Sequence, residues 1–162
     1  MRNLLALFMA ALAIFAGSVV RAADATPSTA DELEAKFKAT MTDVVMSGRW
    51  VSVKNGVLGA EKEDKYAIVS VEKVSGSAWV INARLRNVVM PIPVKVIWAG
   101  DTAVIIVDNL QIPGAGAYGG ASYSARVMIY ENSYAGSWSG GDHGGLLSGL
   151  ITKSASTSGP VK

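Results

Sequence analysis

The chain has 162 residues, no cysteine, one histidine, and 15 basic against 13 acidic residues. Without thiols there is no disulfide framework, thiolate catalysis or thiolate metal site, and one histidine makes no metal-binding cluster. The basic excess is Arg2 and Arg21, both in the first 22 residues; the remainder carries equal numbers of the two signs and gives no reason to expect nucleic acid.

Those first residues read as a targeting segment. Arg2 precedes an uninterrupted apolar run, Leu4 to Ala16, and Val20-Arg21-Ala22 offers small residues where a signal peptidase cuts. The expectation is a signal peptide over 1–22 with cleavage after Ala22, and Ala23 as the next choice. The run is too short for a spanning helix, which needs about 20 apolar residues. No cysteine follows it, which excludes a lipid-anchored lipoprotein. The protein is thus expected in the periplasm or secreted, with no stable membrane insertion once the segment is removed. The remaining stretch of about 140 residues suffices for one domain with its own core.

A linker over 23–28 leads to Thr29-Ala30-Asp31-Glu32, a capping box in which Thr29 and Glu32 satisfy each other's backbone donors. Leu33, Phe37, Met41, Val44 and Val45 form one apolar stripe, so a helix is expected over 29–46, ended by Ser47-Gly48. From Trp50 the period becomes two. Trp50 to Val53 reads as a first strand, closed by the turn pair Asn55-Gly56, and Glu61 to Lys65 as a charged loop. Tyr66 to Val74 and Ala78 to Arg86 follow as strands joined by Ser75-Gly76-Ser77. Ile92 to Trp98 is a fourth, entered through Pro91 and Pro93, which belong at a strand entry or edge because proline lacks a ladder donor. Thr102 to Asp108 and Tyr123 to Tyr130 are the fifth and sixth. The chain closes on a hairpin. Tyr134, Gly136 and Trp138 share one face of its first strand, and Leu146 to Thr152 is its second. Residues 154–162 form a tail.

Eight strands with mostly short connections predict a mainly β domain over 29–162: a helix, then an antiparallel up-and-down barrel. A two-sheet sandwich is the alternative. Strands apolar on both faces, such as Ala103 to Val107, suit either.

Several residues invite a chemical reading. Gly114 to Gly119 matches G-x-G-x-x-G, but the following SYSARVMIY alternates as a strand, and the dinucleotide motif needs a helix there. The stretch reads as a loop, or as a lid with Tyr118 its only large side chain. Asp142-His143 could orient an imidazole beside Ser139 or Ser148. Glycine pairs on both sides make it ordinary turn chemistry, with His143 at the surface. Arg84 and Arg86 share a strand face with Asn82, and Asp108 shares one with Ile106. Such groups form surface ion pairs, or bind a polar ligand if they point inward. No catalytic residue, metal or cofactor is assigned, and the domain is read as non-enzymatic.

Gly48-Arg49-Trp50 is a G-x-W motif after a helical segment and before the strands. In this it resembles the lipocalins and related calycin barrels. The resemblance implies an eight-stranded barrel whose floor Trp50 closes, with Gly48 allowing close chain approach. It places Trp50 where the helix meets that floor. It also implies a basic side chain from the last strand over the tryptophan, and only Lys153 is available. The implied function is binding of a small, mainly apolar ligand in the barrel. The resemblance carries over no ligand-contacting residue; the candidate contacts, Arg84, Arg86, Asp108, Tyr118 and Trp138, come from the strand and loop readings above. A structural or interaction module of the cell envelope with a filled barrel is the alternative.

Overall fold

The computed structural model describes residues 28–85, 87–111 and 122–155. One helix, α1 (Ala30–Met41), precedes eight strands: β1 (Val44–Lys54), β2 (Val57–Ser75), β3 (Ala78–Leu85), β4 (Val88–Ala99), β5 (Thr102–Gln111), β6 (Ser122–Tyr130), β7 (Ser133–Gly140) and β8 (His143–Lys153). Each strand pairs antiparallel with the next, and β8 returns to pair with β1 from Val44↔Lys153 to Val53↔Gly144. The architecture is therefore a closed up-and-down barrel and not a sandwich. Closure satisfies the outer ladder edges that a sandwich would leave open.

The capping box forms: Thr29 N donates to Glu32 Oε2 at 2.8 Å, and Glu32 N donates to Thr29 Oγ1 at 3.3 Å. The helix is shorter than expected. Leu33, Phe37 and Met41 are buried at spacings of four, and Thr42 then turns extended. Asp43 takes a left-handed conformation with φ 51°. Val44 and Val45, placed on the helical stripe from the sequence, instead start β1. β-branched residues lose little in a strand, and here they pair with strands on both sides. Ser47-Gly48 thus lies inside a strand. Lys153 Nζ donates to Ala39 O at 2.6 Å and Thr42 O at 2.8 Å. It caps the carbonyl end of α1, where a cation suits the helix dipole.

One further expectation is corrected, and the edge reading of the two prolines holds. Glu61 to Lys65 is part of β2 and not a loop. Its partners on β1 include Arg49, which bridges to Glu61 and lies 3.8 Å from Glu63. Strand pairing and cross-strand charge matching override the poor strand propensity of this run. Pro91 and Pro93 lie within β4, opposite Asn82 and Val80 of β3. Val96 N donates to Ser77 O, on the β3 side, so the alternate positions 91 and 93 turn their nitrogens toward β5. The β4–β5 ladder accordingly runs from Ala99↔Thr102 to Lys95↔Ile106 and stops there. The prolines make a local edge where no donor is available.

The interior is filled at the end where α1 lies across it. Phe37 meets Trp79 edge-to-face with centroids 5.4 Å apart, and Trp98 at 6.1 Å. Met41, Val44, Val71, Ile81, Val96, Ala103 and Ile151 belong to the same buried cluster.

Candidate functional site

The opposite end of the barrel has a different character. Alternation along β1 puts Gly48 and Trp50 on the inward face with buried Val44 and Met46. Trp50 is six residues from Val44, or about 20 Å along an extended strand. There it meets Trp138 of β7, centroids 5.8 Å apart and planes at 69°. Tyr123 of β6 lies 6.4 Å from Trp138 at 41°, and the His143 ring of β8 stands 5.3 Å from it, perpendicular. All four rings are half-buried. Lys62 of β2, directly opposite Trp50, holds its ammonium 4.8 Å from the indole centroid.

The glycines of the closing hairpin make room for these rings. A Cβ on Gly145 would lie 2.5 Å from Trp138 Nε1, and one on Gly140 would lie 2.4 Å from the Tyr123 ring. Read from the sequence they were turn residues. Their spatial role appears only once the strands are in register.

At the rim, His143 Nδ1 lies 3.0 Å from Asp142 Oδ1, and Lys54 Nζ donates to Asp142 Oδ2 at 3.3 Å. The hydrogen bond with His143, and then Lys54, hold the Asp142 carboxyl below the usual carboxylate range. His143 is therefore more engaged than a free hairpin tip would make it.

Below the rings lies a polar layer. Asp64 of β2 is opposite Gly48, and Tyr66 Oη donates to Asp64 Oδ2 at 2.6 Å. Burial first, then the bond to Asp64, push the Tyr66 hydroxyl well above its ordinary value of about 10. Burial and Asp64 raise Tyr134 as well. An acid whose folded pKa is raised holds its proton longer folded than unfolded. Its stabilisation is complete below the ordinary tyrosine pKa and is lost as pH rises beyond it. Denaturation midpoints should thus fall steeply above about pH 10, and less steeply in Tyr66→Phe. Equal slopes in the two proteins would sink this assignment.

The candidate residues read from the sequence scatter over the molecule. Trp138 is in the ring cluster. Arg84 is exposed on β3, on the face opposite inward Trp79, Ile81 and Ala83. Asp108 is exposed on β5, bonded to Arg126 Nη2 at 2.7 Å and 3.5 Å from Lys95 Nζ. Arg126 above all, with Lys95 adding to it, holds the Asp108 carboxyl below its usual range. The triplet staples β4, β5 and β6 outside the barrel, just where the β4–β5 ladder stops. Arg86 and Tyr118 lie outside the described residues. Trp50 is at the mouth, not where the helix meets the floor, and Lys153 reaches the helix instead of the tryptophan. Tyr123 and His143 were missed as neighbours of Trp138, Lys62 as the neighbour of Trp50, and the Asp64–Tyr66 pair below them altogether. The one available signal was the period-two placing of Tyr123 and Trp138 on their strands.

Comparison with family models, curated proteins and solved structures finds no match for this chain. The likeness to lipocalins is one of architecture: an eight-stranded antiparallel barrel with a helix at one end.

Proposed function

We propose that this is an exported binding protein that takes a small, mainly apolar ligand at the aromatic mouth of its barrel. The observation that carries the reading is the contrast between the two ends. At the helix end Phe37 and Trp79 are 3 % exposed and Met41 is fully buried. At the mouth the large rings of Trp50, Tyr123 and Trp138 remain half-buried. Large rings held on rigid strands and left partly open suit a ligand that completes their burial. Packing of the lower interior favours a ligand seated in the mouth over one deep in the barrel.

The filled-barrel alternative draws on that same packing, and one titration separates the two. N-phenyl-1-naphthylamine, a neutral apolar fluorophore, should bind and quench tryptophan emission. Trp138→Ala should weaken it about ten-fold, the equivalent of losing one good aromatic contact. No binding by the parent protein would leave the filled module standing. Export is tested by sequencing the N-terminus of protein recovered outside the cytoplasm, expected at Ala23. A membrane-extracted form retaining Leu4 to Ala16 would contradict it.

A further inference from the structure

We propose that the mouth selects ligands carrying an organic cation of the tetraalkylammonium type, and that Lys62 occupies the cation's position in the free protein. The inference rests on the mouth being the ligand site and adds the chemical class of the ligand.

The Lys62 ammonium lies 4.8 Å from the Trp50 centroid, within the range of a cation–π contact. The β1–β2 register puts the two side chains directly opposite on one face of the sheet. Among the described residues, no carboxylate forms an ion pair with Lys62, although Glu61, Glu63 and Asp64 are its neighbours in sequence. Glu61 and Glu63 turn outward to Arg49 instead. The aromatic face is the place this cation takes.

The surroundings fit a second cation better than an anion. Trp138 stands at 69° to Trp50 and Tyr123 at 41° to Trp138, so the rings form the walls of a corner and not a stack. Asp64 faces inward two residues from Lys62, and its hydrogen bonds come from neutral donors, Tyr66 Oη and the Lys65 backbone N–H. Its negative charge is left uncompensated by any ion pair among the described residues. A primary ammonium is strongly hydrated and loses much of that water on an indole. A tetraalkylammonium carries its charge on methyl groups, is weakly hydrated, and gains apolar contact as well. It therefore displaces the lysine, whose exposed side chain swings into solvent at little cost.

The test uses choline and its neutral isostere 3,3-dimethylbutan-1-ol, followed by tryptophan emission. Trp79 and Trp98 at the far end serve as an unperturbed background. Choline should bind about ten-fold more tightly than the isostere. Lys62→Met should tighten choline about two- to five-fold by removing the competitor, with its thermal melt unchanged. Asp64→Asn should erase the preference for choline over the isostere. That variant keeps the proposal testable should Trp50→Leu, expected to abolish choline binding, fail to fold. Equal binding of choline and isostere would overturn the proposal. So would weaker choline binding in Lys62→Met. If N-phenyl-1-naphthylamine binds in a Trp138-dependent way while choline does not, only the cation assignment fails. If neither binds, the mouth is not the ligand site.

Discussion

Trp79→Ala should lower the unfolding free energy by about 3–5 kcal/mol, the usual cost of emptying a large aromatic site. Trp79 is 3 % exposed, and its ring meets Phe37 edge-to-face at 5.4 Å. That contact joins α1 to the barrel, so the substitution removes packing from two elements at once. Edge-to-face pairs add about 0.5–1.5 kcal/mol beyond area burial, and the Phe37 contact is lost with the ring. Trp50→Ala should cost roughly half as much, since Trp50 is half-buried at the mouth and water already reaches it. Guanidinium unfolding of both variants measures the difference. A larger loss for Trp50→Ala would reverse the assignment of the closed and open ends.

Gly48→Ala should destabilise by about 3 kcal/mol, at the upper end of what overpacking costs. A Cβ there would lie 2.1 Å from Ser148 O, 2.4 Å from Tyr134 Oη and 2.7 Å from Gly149 Cα. Two of these are backbone atoms of β8, so the β1–β8 ladder that closes the barrel must shift. Tyr134→Phe removes one obstacle and leaves the other two. The double variant should therefore recover only a small part of the loss. Full recovery would show that the hydroxyl, and not the closing strand, sets the requirement for glycine. Gly56→Ala is the instructive contrast. No atom lies within 4 Å, and the cost there, about 1 kcal/mol, arises from a φ of +76°.

How much of this was legible beforehand depends on the range of the interaction involved. Thr29 and Glu32 are three residues apart, so the start of α1 could be read from four letters. The turns at Asn55-Gly56 and Gly76 are equally local, and all three residues adopt positive φ. The inward face of β3, Trp79, Ile81 and Ala83, followed from alternation. So did the strand count, and with it the expectation of a barrel. In each case the determining contacts lie within a few residues of one another.

The rest was decided across strands. Val44 and Val45 fit a helical stripe as well as a strand, and only partners on β2 and β8 settle the matter. The Glu61 to Lys65 run is polar enough to be a loop until Arg49 lies beside it. Pro91 and Pro93 could sit inside β4 because the neighbouring ladder ends at Lys95, which no local pattern announces. The mouth is the extreme case. Trp50, Lys62, Tyr123, Trp138 and His143 come from five strands and span most of the chain. Periodicity states which face each occupies, but not the height at which it stands in the barrel. Register and closure set that height, and they are properties of the whole sheet.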